Sequence, residues 1–171
     1  GSADELLAGI KNQVNYMISE NGQWTPTSNS INEVVAGEMY KIQGNAPVSL
    51  SVVGDAIDVA NEPVVIKPNW NWIGYKAPGY VSIGNAFADL EPQEGDVVKS
   101  QTAFASWNSS EWVGSLEALK SGEGYLYYST RNQQQTFHYP SATSSAARET
   151  SMAKSMRLGG DDAVNEKTEI A

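Results

Sequence analysis

Thirteen residues of this chain occur twice. Ser30-Ile31-Asn32-Glu33-Val34-Val35-Ala36-Gly37-Glu38-Met39-Tyr40-Lys41-Ile42 aligns without a gap onto Ser115-Leu116-Glu117-Ala118-Leu119-Lys120-Ser121-Gly122-Glu123-Gly124-Tyr125-Leu126-Tyr127. Ser30/Ser115, Gly37/Gly122, Glu38/Glu123 and Tyr40/Tyr125 are identical, and the apolar positions Ile31/Leu116, Val34/Leu119 and Ile42/Tyr127 match. Self-similarity at long spacing is first a statement about architecture, so two related units are expected rather than one irregular domain. The likeness is extended towards the N-terminus by pairing Leu6-Leu7-Ala8-Gly9-Ile10 with Ala86-Phe87-Ala88-Asp89-Leu90, and Tyr16-Met17-Ile18-Ser19-Glu20 with Val97-Val98-Lys99-Ser100-Gln101. Each copy then reaches a tryptophan, Trp24 or Trp112. On that alignment Thr102 to Ser110 is an insertion in the second copy, in a hairpin or loop where copy-specific function would sit.

Local patterning gives each unit its elements. Leu6, Leu7 and Ile10 lie three and four apart behind Asp4 and Glu5, which predicts a short helix over 3–10. Val81 to Leu90 predicts a second helix, with Ser82 at its N-cap. Strands are expected at Val14–Ile18, Met39–Ile42, Val48–Val53, Pro63–Ile66 and Trp70–Tyr75, then at Asp96–Ser100, Ala103–Trp107, Glu111–Ser115, Tyr125–Ser129 and Gln133–Tyr139. Asn21-Gly22 is expected to make a tight hairpin turn before Trp24. The fold class is therefore α+β, predominantly β: two tandem duplicated units, each a short helix followed by antiparallel strands. Residues 3–67 form the first unit with its connecting strands and 68–140 the second. After Pro140 the Ser/Ala/Thr-rich and mixed-charge composition predicts a flexible tail or linker over 141–171.

Charge narrows the partners. Eleven Lys and Arg against twenty Asp and Glu leave a net charge of −9, so a phosphate backbone or an anionic membrane surface is repelled by the mean field. Nucleic acid is not an expected partner, and no apolar run reaches the roughly 20 residues of a spanning helix. Cysteine is absent, which excludes disulfides and thiol nucleophiles. Gly1-Ser2 is the kind of pair that cloning leaves, so an upstream targeting segment or domain is compatible with the chain.

Trp70-Asn71-Trp72-Ile73-Gly74-Tyr75, Gly95-Asp96-Val97-Val98-Lys99-Ser100-Gln101, Trp112-Val113-Gly114-Ser115-Leu116 and Gly122-Glu123-Gly124-Tyr125 together resemble repeat modules of large secreted and cell-surface proteins of Bacteroidetes. The match covers about residues 68 to 130. It departs at Leu119-Lys120-Ser121-Gly122, where that family has a Pro-Gly-Lys-Gly-type turn, and the first copy is a diverged version whose own tryptophan strand is missing. The resemblance implies an extracellular or cell-surface location and a modular role. It carries no catalytic assignment.

Few residues have the makings of a chemical site. Glu91, Glu94 and Asp96 form one close carboxylate group, but Pro92 and Gly95 place it in a loop where carboxylates are usually solvated. Its spacing also lacks the alternating pattern of a calcium loop. His138 is the single histidine and has no partner type for a transition-metal site. There is no Gly-x-Ser-x-Gly elbow, and Gly122-Glu123-Gly124 lacks the lysine and hydroxyl residue of a phosphate loop, so it reads as a turn. Aromatics remain. Trp72, Trp112 and Tyr125 are expected in the core, whereas Trp107 beside Asn108, together with Tyr127, is the place for a ligand contact by stacking on a sugar ring. Hairpin packing competes with that role at Trp107. The expected function is a noncatalytic surface or secreted module with a structural or interaction role, without cofactor or metal. Its partner is another protein or neighbouring domains of the same polypeptide, and the alternative is a carbohydrate-binding module whose exposed aromatics meet glycans.

Overall fold

The computed structural model describes residues 6–25, 30–50, 57–141 and 156–158. It is predominantly β, built from antiparallel sheets. In the first sheet β1 (Leu7–Lys11), β2 (Tyr16–Glu20), β3 (Gln23–Thr25) and β4 (Lys41–Gly44) lie in the order β3-β2-β1-β4. β5 (Val48–Leu50) and β6 (Val64–Ile66) connect it to β7 (Asn69–Gly74), which enters the second sheet. There β9 (Val97–Lys99), β10 (Phe104–Trp107), β11 (Trp112–Gly114) and β13 (Gly124–Ser129) adopt the order β11-β10-β9-β13-β7. Three two-stranded ladders complete the chain: β8 (Tyr80–Ser82) with β12 (Ala118–Lys120), β6 with β14 (Gln135–Phe137), and β5 with β15 (Met156–Leu158).

Leaving β7 aside, the two large sheets share one strand order: third, second, first, fourth. β9 holds the place of β1, and β10 the place of β2. The sequence alignment of Tyr16–Glu20 with Val97–Gln101 is therefore out of register, and the residues read as an insertion contain a regular strand of the sheet. The turns agree with the corrected register. Asn12 Oδ1 accepts from the amides of Val14 and Asn15 at 3.0 and 2.7 Å, and Ser100 Oγ accepts from those of Thr102 and Ala103 at 3.3 and 3.0 Å. Within the repeated thirteen residues the turns fold alike, although Ala118–Lys120 is a strand and the matching 33–35 is not. The Val35 amide donates to the Tyr40 hydroxyl, which donates to Glu38 Oε2, both at 2.9 Å. Lys120, Tyr125 and Glu123 repeat this at 2.8 and 2.9 Å. Gly37 and Gly122 take φ of +86° and +71°, the left-handed conformation that glycine adopts without cost to a Cβ.

Each predicted helix gives way to strand over part of its length. Leu7–Lys11 is β1, because its backbone groups are paired on both sides, by β2 and by β4, and that pairing outweighs a three-and-four spacing of only three apolar residues. Residues 3–5 lie outside the described set. The second helix shrinks to α1 (Ile83–Ala86), one turn after β8. Ser82 stands at its N-cap without a side-chain capping bond. The Asn21-Gly22 turn forms as expected, with φ of 53° and 76° joining β2 to β3. β14 pairs with β6 rather than closing a large sheet. Of the predicted strand Val48–Val53 the described part is β5, and of the predicted tail the described part beyond residue 141 is the strand β15.

The core lies under the second sheet. Period-two alternation turns Ile73, Tyr125, Tyr127, Val98 and Ala105 inward, against α1, Phe87, Leu90 and Leu119, all buried. Phe87 is the aromatic hub, with ring centroids 5.4 Å from Trp112, 5.4 Å from Tyr127 and 5.5 Å from Phe137. A carboxylate is buried here as well. Asp96, fully inaccessible, accepts from the Tyr127 hydroxyl, the Thr130 amide and the Thr130 hydroxyl at 2.7 Å each, and from the Gln93 amide at 3.1 Å. These bonds replace the water that a buried charge loses. Burial and this bond to a carboxylate together push the Tyr127 hydroxyl far above the ordinary tyrosine range. The Tyr139 hydroxyl is buried too, but has no hydrogen-bond partner among the described residues.

These two tyrosines should respond oppositely to loss of the hydroxyl. Tyr127→Phe leaves Asp96 short of a donor and should destabilise by about 1–3 kcal/mol, whereas Tyr139→Phe removes an unsatisfied group and should be neutral or stabilising. Urea denaturation of the two variants beside the parent chain checks both.

Candidate functional site

β7 is the strand on which the molecule turns, because each of its edges meets a different partner. Along one edge it pairs with β13 over six residues, from Asn69↔Ser129 to Gly74↔Gly124. Along the other it meets the end of the first sheet. The Gln13 side chain donates from Nε2 to the Trp70 carbonyl at 2.8 Å and accepts at Oε1 from the Trp72 amide at 2.9 Å. One side-chain amide thus reproduces the two bonds that a neighbouring strand would make. Further along, the Gly74 amide donates to the Gly37 carbonyl at 2.8 Å, and Glu38 bridges to Ile73. The approach is close enough that a Cβ on Gly74 would sit 2.6 Å from the Glu38 carbonyl oxygen.

Charge and aromatic faces complete this junction. Lys11 and Lys41 place their ammonium groups 5.6 and 4.8 Å from the centre of the Trp72 ring. A cleft of about 380 Å³ opens between the sheets, lined by Asn12, Gln13, Glu38, Lys67, Trp72 and Lys76 among others. Glu38 Oε2 accepts from Asn12 Nδ2 at 3.1 Å as well as from the Tyr40 hydroxyl. Burial holds Lys76 below the ordinary lysine value, partly offset by the Glu62 carboxylate. Of the groups lining the cleft, Asn12 is bonded to Glu38, and Gln13 to the backbone of β7.

The residues expected to contact a ligand do not form one site. Tyr127 has no exposed surface and lies in the core. Trp107 is partly buried, its ring 5.5 Å from that of Trp112, and its backbone pairs with Asp96 and Gly95. Asn108 is exposed, and its Oδ1 organises the hairpin by accepting from the Ser110 and Glu111 amides at 3.0 and 2.9 Å. The expected carboxylate group is likewise divided. Asp96 is buried, Glu91 pairs with Arg131 at 3.1 Å, and Glu94 accepts from the Ser109 hydroxyl at 3.0 Å. Among the described residues no group of three His, Asp or Glu side chains is placed to hold a metal. His138 Nδ1 lies 3.2 Å from Asp89 Oδ2.

Apart from Tyr80 on β8 and Tyr16 on β2, exposed aromatic rings lie on the outer face of the second sheet. Trp70 is 41 % exposed and Phe104 55 %. The Trp70 ring packs on Tyr128 at 5.1 Å, with the Lys99 ammonium 4.6 Å from its centre. The alternation of β7 contained this information, since Asn71 and Ile73 point inward and the tryptophans must face the other way. Gln13 escaped notice in the sequence for want of the right register. Ile10-Lys11-Asn12-Gln13 set against Val98-Lys99-Ser100-Gln101 is the match that would have singled it out.

No family model, curated protein or solved structure matches the chain. Among the described residues no helix is long and apolar enough to cross a membrane.

Two measurements probe these contacts. Gln13→Ala removes both bonds to β7 and should cost about 1–2 kcal/mol in denaturant unfolding, with amide exchange quickening at Trp72. At Asp89, bonds from the His138 amide and then the His138 ring hold the carboxyl below the ordinary aspartate value. A depressed carboxyl contributes stability above its unfolded pKa, and that contribution is lost as pH falls through the folded value, below about pH 4. Asp89→Asn should flatten that part of the stability profile, which thermal melts across the acid range would read.

Proposed function

We propose that the chain is a noncatalytic module of a secreted or cell-surface protein of the Bacteroidetes repeat kind, built from two copies of one strand unit. Its role is structural or interactive: it joins or presents neighbouring domains or a protein partner. The observation that carries this reading is the junction at β7. The first unit reaches the second through Gln13 and the Gly37-Glu38 turn, both of which belong to features that recur in the second unit as Gln101 and Gly122-Glu123. Units that bury one another's strand edges suit a tandem array, where each supports its neighbour.

The alternative, a carbohydrate-binding module, is supported by the Trp70–Tyr128 face, where exposed rings lie beside a lysine in the manner of a stacking platform. A tryptophan-fluorescence titration against soluble polysaccharides and mucin glycans separates the two, with Trp70→Ala and Trp107→Ala as controls. The structural reading expects no saturable change with any of them. Saturable quenching abolished by Trp70→Ala would replace it with glycan binding on the outer face, and quenching abolished by Trp107→Ala would place that binding at the hairpin.

A further inference from the structure

We infer that the outer edge of β4 is a docking edge for an extended segment with the sequence pattern of β7, supplied by another unit of the same kind. This rests on the two-copy reading above and extends it to a partner and a register. In the second sheet, the strand following the Gly122-Glu123 turn is β13, and its outer edge is covered by β7 over six residue pairs. In the first sheet, the strand following the matching Gly37-Glu38 turn is β4. It pairs with β1 on one side, and among the described residues no strand is hydrogen-bonded to its other side. β15 pairs with β5, the next strand along, and comes close to β4 without forming a ladder with it. An open ladder edge is a template for an added strand.

The matched positions set the register. Gly124↔Gly74, Tyr125↔Ile73 and Tyr127↔Asn71 in the second sheet translate to Met39, Tyr40 and Ile42 of the first, each facing the corresponding residue of the incoming segment. Its asparagine would then lie beside Ile42, on the face where Ile42 meets Ile10. Its two tryptophans would lie on the opposite face, beside Lys41 and Gln43. The occupant is not the resident β7 of a second molecule, because both edges of that strand are already taken, by β13 and by Gln13 with the Gly37-Glu38 turn. It is the corresponding strand of a further unit, free of such partners.

A synthetic peptide of the sequence Lys67–Lys76 tests this. It carries a lysine at each end against a chain of net charge −9. Titrated into the full isotopically labelled chain, it should produce saturable amide shifts and slowed amide exchange confined to Met39–Gly44. The same peptide carrying Ile73→Pro, unable to complete the ladder, should bind at least about tenfold more weakly. Joining the peptide to the N-terminus through a flexible Gly/Ser linker raises its effective concentration to the order of millimolar, so weak pairing is still seen. Shifts at β13 instead, from exchange with the resident β7, would overturn the assignment to β4. So would the absence of shifts in both the free and the linked form. The glycan titration tests the module reading separately, so failure of the edge and failure of the module are distinguishable.

Discussion

A strand at the centre of a molecule must satisfy two rows of backbone donors and acceptors, and β7 does so with two unlike partners. One row is met by the regular ladder of β13. The other is met by a single glutamine side chain and a glycine turn. A lone side-chain amide is a weak substitute for a strand in free energy, but it removes the exposed edge that would otherwise invite a foreign strand. Because Gln13 lies in the turn between β1 and β2 and Gly37 in the turn before β4, the same contacts that protect β7 also hold the two sheets together.

Beneath the second sheet a different constraint applies. Asp96 is a charge without solvent, held by two hydroxyls and two amides. It ties the loop before β9 to the end of β13 and to Tyr127 at the core's centre. The aromatic ring contacts around Phe87 supply dispersion and area, while Asp96 supplies direction, since its bonds are made only in one packing arrangement. Loss of one partner leaves a buried charge short of a bond, which is why it couples the loop, the sheet and the core.

These two features bear on function in the same sense. The ionisable side chains singled out as candidates are tied up in the architecture: Asp96 in the core, Glu91 with Arg131, Glu94 with Ser109 and His138 beside Asp89. What the described surface offers is aromatic area on the outer face of the second sheet and, among the described residues, an outer edge of β4 that no strand pairs with.

The repeated turn was legible because its chemistry is local. A glycine at positive φ, a glutamate and a tyrosine two residues on close a hydrogen-bond set within six residues, so the same letters give the same geometry at 35–40 and 120–125. The Asn21-Gly22 hairpin and most strand positions were legible for the same reason, each set by neighbours in sequence. From Leu7 onward the helix expected at 3–10 gives way to a strand, and the pairing of Tyr16–Glu20 with Val97–Gln101 fails too, because β1 is a strand only through the partners on either side of it. Trp107 and Tyr127 were equally undecidable locally: alternation assigns residues to two faces, but which face is covered depends on where α1 and Phe87 pack. The sequence by itself determined the turns, the β-rich class and the recurrence of one turn geometry, since these follow from backbone preferences over a few residues. Only the tertiary structure decided that Gln13 would stand in for a strand, and that Trp70 would face solvent and Tyr127 the core, since each depends on groups brought together from distant parts of the chain.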